Sequence, residues 1–177
     1  YVNPRPDPRL AEIGTSTLNS SINAKEERIP IQNPTFFQKK TTMNTVRIGE
    51  ELIRYQDVTA EAPWFLTGCQ RGAWGTTATK HPPSETVAKL MDHGYRVFLS
   101  NTELSVEIAH NIADLFNQTN LAQISFDGLE GNWSTGMGQY GRTLFTKSWF
   151  DHLKPALRGT VINDASNPGH FNWHIYT

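Results

Sequence analysis

The sequence predicts an α/β protein: a small N-terminal β module followed by the first β-α units of a (β/α)8 barrel, incomplete as it stands. Three observations lead there. Short apolar runs broken by turn residues fill the first half of the chain, with no helical period. After Tyr95 the pattern changes to strand, amphipathic helix, strand, helix, strand, which implies parallel strands joined by helical crossovers. The third is length: 177 residues hold one domain with a core or two small modules, whereas a complete barrel takes about 250.

Residues 1–27 read as an extended arm. Asn3-Pro4-Arg5-Pro6-Asp7-Pro8 and the Ser-, Thr- and Asn-rich stretch from Gly14 to Ala24 have too few apolar groups to build regular structure alone. The β module, 28–92, has candidate strands at 28–32, 45–48, 51–55, 64–69 and 86–90. Gly49-Glu50 serves as a hairpin turn and Arg71-Gly72-Ala73-Trp74-Gly75 as a bent crossover.

Residues 93–177 form the β-α-β-α-β portion. Tyr95 to Leu99 is its first strand. Ser100 and Glu103 have capping-box spacing for a helix to about Gln118, with Leu104, Ile108, Ile112, Leu115 and Phe116 as the buried stripe. Leu121 to Phe126 is the next strand. A glycine-rich loop leads to a second helix, about Thr143 to Leu157, with Leu144, Trp149, Leu153 and Leu157 inward and Gly159 as its stop. Thr160 to Asn163 is the third strand. Either a compact α/β domain with few strands or the front of a larger barrel fits. The ending His174-Ile175-Tyr176-Thr177 reads as mid-element and favours the second, with a missing segment or second chain completing the barrel. The start without Met suggests a processed or trimmed product.

Composition narrows the partners. Sixteen basic and 17 acidic residues give a net charge of −1, which points to no nucleic acid or anionic membrane. No apolar run approaches the roughly 20 residues that cross a bilayer. Cys69 is the only cysteine, so an internal disulfide and a thiolate-rich metal site are excluded.

Parallel α/β architectures bind ligands at the carboxyl ends of their strands. That rule gathers the loops 100–103, 127–142 and 164–173 on one face. The second holds the stretch ISFDGLEG, in which Asp127 follows the strand directly and Glu130 lies three residues on. Three extended residues span at most about 10 Å. The pair is therefore compatible with both glycosidase spacings, about 5–5.5 Å for retention and about 6.5–9.5 Å for inversion. An Asp-Gly turn is the plain structural alternative. Trp133, Tyr140, Arg142, Asp164, His170 and Trp173 would line a sugar site, since flat aromatics stack on sugar rings while carboxylates and Arg satisfy hydroxyls. His170 and His174 are four apart, but Asn167-Pro168-Gly169 precedes them and argues against a helical metal pair. No metal and no cofactor is required. Neither GxSxG nor a strand-to-helix GxGxxG is present. Asn19, Asn117 and Asn132 fit the N-glycosylation pattern, which matters only in a eukaryotic secretory pathway.

Two resemblances accompany these readings. The segment IGEELIRYQDVTAEAPWFLTGCQRGAWGTTATKH, residues 48–81, resembles a small β element of surface and tail proteins and of the front of some carbohydrate-active enzymes. It implies a structural hairpin module. The portion from Tyr95 resembles the early strands of a glycoside-hydrolase β/α barrel, through ISFDGLEG. It departs from the chitinase pattern, because Glu130-Gly131-Asn132-Trp133 replaces the alternating acids. The resemblance implies a secreted glycosidase, extracellular or periplasmic, acting on a glycan or polysaccharide. Asp127 carries the catalytic role and Glu130 is its weaker partner. Two alternatives are a non-catalytic glycan-binding or surface-assembly module, and a polysaccharide lyase using Tyr140, His170 and Arg142.

Overall fold

A computed structural model describes residues 10–39, 43–126 and 139–164. The chain divides into two compact units, Tyr1–Leu99 and Ser100–Thr177.

Among its described residues the first unit is built of β-strands, with one short 3-10 turn at Ala73–Gly75. Its main sheet has the order β1-β7-β3-β4, built from β1 (Glu12–Thr17), β3 (Thr45–Ile48), β4 (Glu51–Arg54) and β7 (Thr86–Leu90), with every pairing antiparallel. Gly49, at φ 53°, makes the tight β3–β4 turn in a backbone region that side chains rarely enter. A smaller antiparallel sheet joins β2 (Ile29–Pro30), β6 (Phe65–Thr67) and β5 (Asp57–Val58) in that order. Ile29, Ile31, Val46, Ile53, Leu66 and Val87 meet in the core between these strands, fully out of water.

Part of the sequence-expected arm is in this sheet. Glu12–Thr17 pairs with β7, and Gly14 lies directly beneath the Phe36 ring, where a Cβ would overlap it. The segment is poor in apolar residues, so its order comes from ladder hydrogen bonds and from a ring supplied by another part of the chain.

The second unit begins with α1 (Thr102–Thr119). The Asn101 side chain caps it, its Oδ1 accepting from the Leu104 N–H at 3.0 Å, one position later than the expected Ser100 cap. Ser100 instead pairs its hydroxyl with that of Ser105 at 2.9 Å. Asn120, in left-handed conformation, closes the helix. The buried face is Leu104, Ser105, Ala109, Ala113 and Phe116, while Leu115 is exposed. Small residues at 109 and 113 leave room for Trp149 of α2 (Gln139–His152), whose fully buried ring meets Phe116 edge-on at 5.5 Å. A stripe chosen by hydropathy alone misses that preference for close approach.

The second helix ends before its expected limit. Pro155 excludes the α conformation for Lys154, which is extended, and a short α3 (Pro155–Arg158) follows. β10 (Gln123–Ser125) and β11 (Ile162–Asp164) form a two-stranded parallel pair, with Gln123 opposite Ile162, Ile124 opposite Asn163 and Ser125 opposite Asp164.

The barrel expectation is overturned, and with it the fold-level resemblance to a glycoside-hydrolase barrel. Among the described residues there are small antiparallel sheets, one parallel pair and three helices, without a barrel's repeated alternation. Its supposed first strand goes elsewhere: β9 (Val97–Phe98) turns back on β8 (Asp92–His93) as an antiparallel hairpin, through Gly94, Tyr95 and a left-handed Arg96. The next strand is not a buried one either. Gln123 and Ser125 are exposed and Ile162 is 62% exposed, whereas a parallel barrel strand is covered on both faces.

Candidate functional site

The parallel pair fixes the geometry around the expected catalytic strand end. Because β10 and β11 run in the same direction, their carboxyl ends share one edge, where Ser125 stands opposite Asp164. The next residue, Phe126, is buried against α2, its ring 6.0 Å from Phe145 and 5.1 Å from Trp149, both edge-on. Asp127 follows Phe126 in the sequence. Asp127, Glu130, Trp133, His170 and Trp173 lie outside the described residues, as does the side chain of Asp164.

Tyr140 and Arg142 are both in the first turn of α2, but on different sides. Tyr140 is 62% exposed, whereas Arg142 is 4% exposed and lies one helical turn ahead of Phe145. Two residues of helix turn the side chain by about 200°, so the two do not face one surface.

Among the described residues a densely bonded polar cluster stands in the first unit, and sequence reasoning missed it. The Glu51 side chain is wholly buried. Its Oε1 accepts from Arg71 Nε at 2.8 Å and from the Gly72 N–H at 2.9 Å. Its Oε2 accepts from Arg71 Nη2 at 2.8 Å, from the Thr79 N–H at 3.0 Å, and lies 2.8 Å from His81 Nε2. Burial by itself would raise this carboxyl's pKa. The Arg71 guanidinium, the backbone N–H groups of Thr79 and Gly72, and His81 outweigh it and hold the pKa below the ordinary carboxylate range.

Arg71 also donates to the carbonyls of Thr79, at 2.7 Å, and of Asn23. A carboxylate offers about four lone-pair positions, and all are engaged. The cluster thus has no capacity left for a substrate or metal. It staples the turn 71–79 onto β4 and the segment near Asn23. No local period could reveal it, since Glu51, Arg71 and His81 are 20 and 10 residues apart in sequence.

Above the staple, Gly72 and Trp74 are both left-handed, at φ 59°. The strain on a bulky residue there is offset by anchoring: Trp74 Nε1 donates to Thr45 Oγ1 at 3.1 Å, and its ring meets Phe98 edge-on at 5.7 Å. Arg54 lies over the same indole at 5.8 Å, and Trp74 is partly exposed.

Other reactive groups are accounted for by structure. Burial pushes the Cys69 thiol up to about 12, despite Arg71 nearby, which favours its protonated form at neutral pH. In the second unit, His110 and His152 stack at 4.2 Å with planes 16° apart, and His152 Nε2 meets Asp114 Oδ1 at 2.9 Å. Nearly parallel rings cannot aim in-plane lone pairs at a common ion. Among the described residues no group of three or more His, Cys, Asp or Glu could hold a metal, and no helix is long and apolar enough to cross a membrane.

No family model matches the chain, and no curated protein matches it.

Proposed function

We propose that the chain is a carbohydrate-active hydrolase cleaving a glycan or polysaccharide, with Asp127 as its nucleophile or charge stabiliser and Glu130 as proton donor. One observation carries the reading. The parallel register of β10 and β11 brings two strand ends, each adjoining or containing an aspartate, to one edge. Ligands of parallel α/β structures bind at that edge, because the loops leaving it converge there while the strands hold them rigidly. The reading stands on this local pair and needs no barrel.

In this mechanism Asp127 meets the positive charge that develops at the anomeric carbon, and Glu130 protonates the departing oxygen. Asp164, Trp133, Tyr140, His170 and Trp173 belong to sugar recognition. Arg142 is buried beside Gln139, its Nη1 donating to Gln139 Oε1 at 3.5 Å, and is better placed to hold the start of α2 than to touch substrate.

A panel of aryl glycosides and polysaccharides, followed by reducing-end release, tests the proposal. Asp127→Asn is expected to lower kcat by about 10²–10⁴-fold. Glu130→Gln should slow substrates with poor leaving groups more than activated aryl glycosides. Full activity in both variants would refute the assignment. The partly exposed Trp74 beside Arg54, on a stapled turn, favours a second reading, a non-catalytic glycan-binding or surface-assembly module. Glycan binding by the wild type without turnover of any substrate would select it.

A further inference from the structure

His81 sits between two carboxylates. Its side chain is 5% exposed, with Nε2 2.8 Å from Glu51 Oε2 and Nδ1 3.0 Å from Glu85 Oε2. A neutral imidazole carries one N–H, so it can donate to only one of these acceptors. Donating to both takes the imidazolium. The charge count agrees: Glu51 and Glu85 against Arg71 and a protonated His81 sum to zero, and loss of the ring proton leaves one negative charge uncompensated.

The two carboxylates differ in their other bonds. Glu51 is wholly buried and keeps Arg71 and two backbone N–H groups whatever His81 does. Glu85, 28% exposed, can turn to water. The weak joint is therefore His81 to Glu85. The remaining polar group at the ring is the Thr79 hydroxyl, 3.3 Å from Nε2. The Ile22 segment packed against His81 contributes backbone bonds, and no charged side chain of that segment is bonded to the ring.

We propose that His81 is a proton-dependent latch that ties the 18–22 segment of the chain to the turn ahead of β7. Backbone bonds on both sides of the ring link the same two pieces. The Leu18 N–H donates to the Glu85 carbonyl at 3.0 Å and the Ser84 N–H to the Leu18 carbonyl at 2.9 Å, while Ile22 and His81 exchange N–H to carbonyl bonds at 3.0 Å each. With the ring doubly protonated, both carboxylates and both backbone pieces are held together. After loss of one proton a ring nitrogen faces a carboxylate lone pair to lone pair, Glu85 swings out, and these four amides open more often. The latch acts independently of any catalytic role of the second unit.

Amide hydrogen exchange of the full chain between pH 5.5 and 8.5, corrected for intrinsic base catalysis, tests it. Protection at Leu18, Ile22, His81 and Ser84 is expected to fall about tenfold as pH rises, the scale of one charge-assisted bond of a partly exposed pair. Val46 and Ile53 in the core should not follow. Glu85→Gln should flatten the dependence without unfolding the unit, because its amide can accept from a protonated Nδ1 or donate to a bare one. Ring nitrogen shifts should report both His81 nitrogens protonated while the four amides are protected. Flat wild-type protection, an unchanged pH dependence in Glu85→Gln, or a ring protonated on one nitrogen while the four amides keep their full low-pH protection would each overturn the latch.

Discussion

Replacing Glu51 by Gln removes the negative charge at the centre of the first unit's polar cluster without changing the side chain's size. The carboxylate accepts from Arg71 twice, from two backbone N–H groups, and adjoins His81, all with no exposure of its own. A glutamine offers a single carbonyl oxygen and turns an amide N–H₂ toward groups that are themselves donors. The Arg71 guanidinium, with a side chain 6% exposed, would then be buried without its counter-ion. Breaking a buried pair from one side costs about 3–5 kcal/mol. A small domain has about 5–15 kcal/mol in total, so the loss is a large share of it. For a unit of this size each kcal/mol shifts Tm by about 4–8 °C, so a fall of at least about 12 °C is expected. Thermal unfolding followed by near-UV circular dichroism measures the Tm and urea unfolding followed by tryptophan fluorescence the free-energy loss, with Glu50→Gln as control. Glu50 is exposed in the adjacent turn and should change stability by less than about 0.5 kcal/mol. A Glu51→Gln loss below about 1 kcal/mol would refute the view that this cluster staples the unit.

The same carboxyl gives a pH prediction. Its folded pKa is depressed, so its stabilisation is present above the ordinary carboxylate range and is lost as pH falls through the folded value. The stability gap between wild type and Glu51→Gln should hold near pH 5 and close progressively below about pH 4, read from urea midpoints. In the second unit, Asn101→Ala should cost about 1 kcal/mol, because the Leu104 N–H loses its acceptor, while Asn101→Asp retains the cap. Amide exchange along α1 distinguishes the two variants.

Much of the local structure is legible in the residues. Thr45 to Ile48 and Thr86 to Leu90 are strands at their expected limits, since β-branched and apolar side chains bounded by Gly, Pro and Ser favour extended backbone. The helix after Ser100 is equally legible, though its buried face is rotated. Sequence period gave the bulky aliphatics priority, whereas packing chose Ala109 and Ala113 to admit Trp149. β1 was hidden because Glu12 to Thr17 has no apolar alternation of its own and depends on β7 and Phe36. Of the expected sugar-site residues, Tyr140 and Arg142, two apart, differ in burial, Tyr140 exposed and Arg142 buried, a difference set by helix rotation that spacing along the chain does not display.

By itself the sequence determined the strands Thr45–Ile48 and Thr86–Leu90 and the helix after Ser100, because these follow from side-chain shape and backbone preference within a few residues. It also put Asp127 directly after Phe126. Beyond the Gly49-Glu50 hairpin, only the tertiary structure decided which strands pair. Val97–Phe98 turns back on Asp92–His93 as a hairpin rather than forming a barrel strand, and β10 finds β11. It alone brought Glu51, Arg71 and His81 together. A buried charge must find its partner wherever the fold supplies one, and that choice leaves no period in the chain.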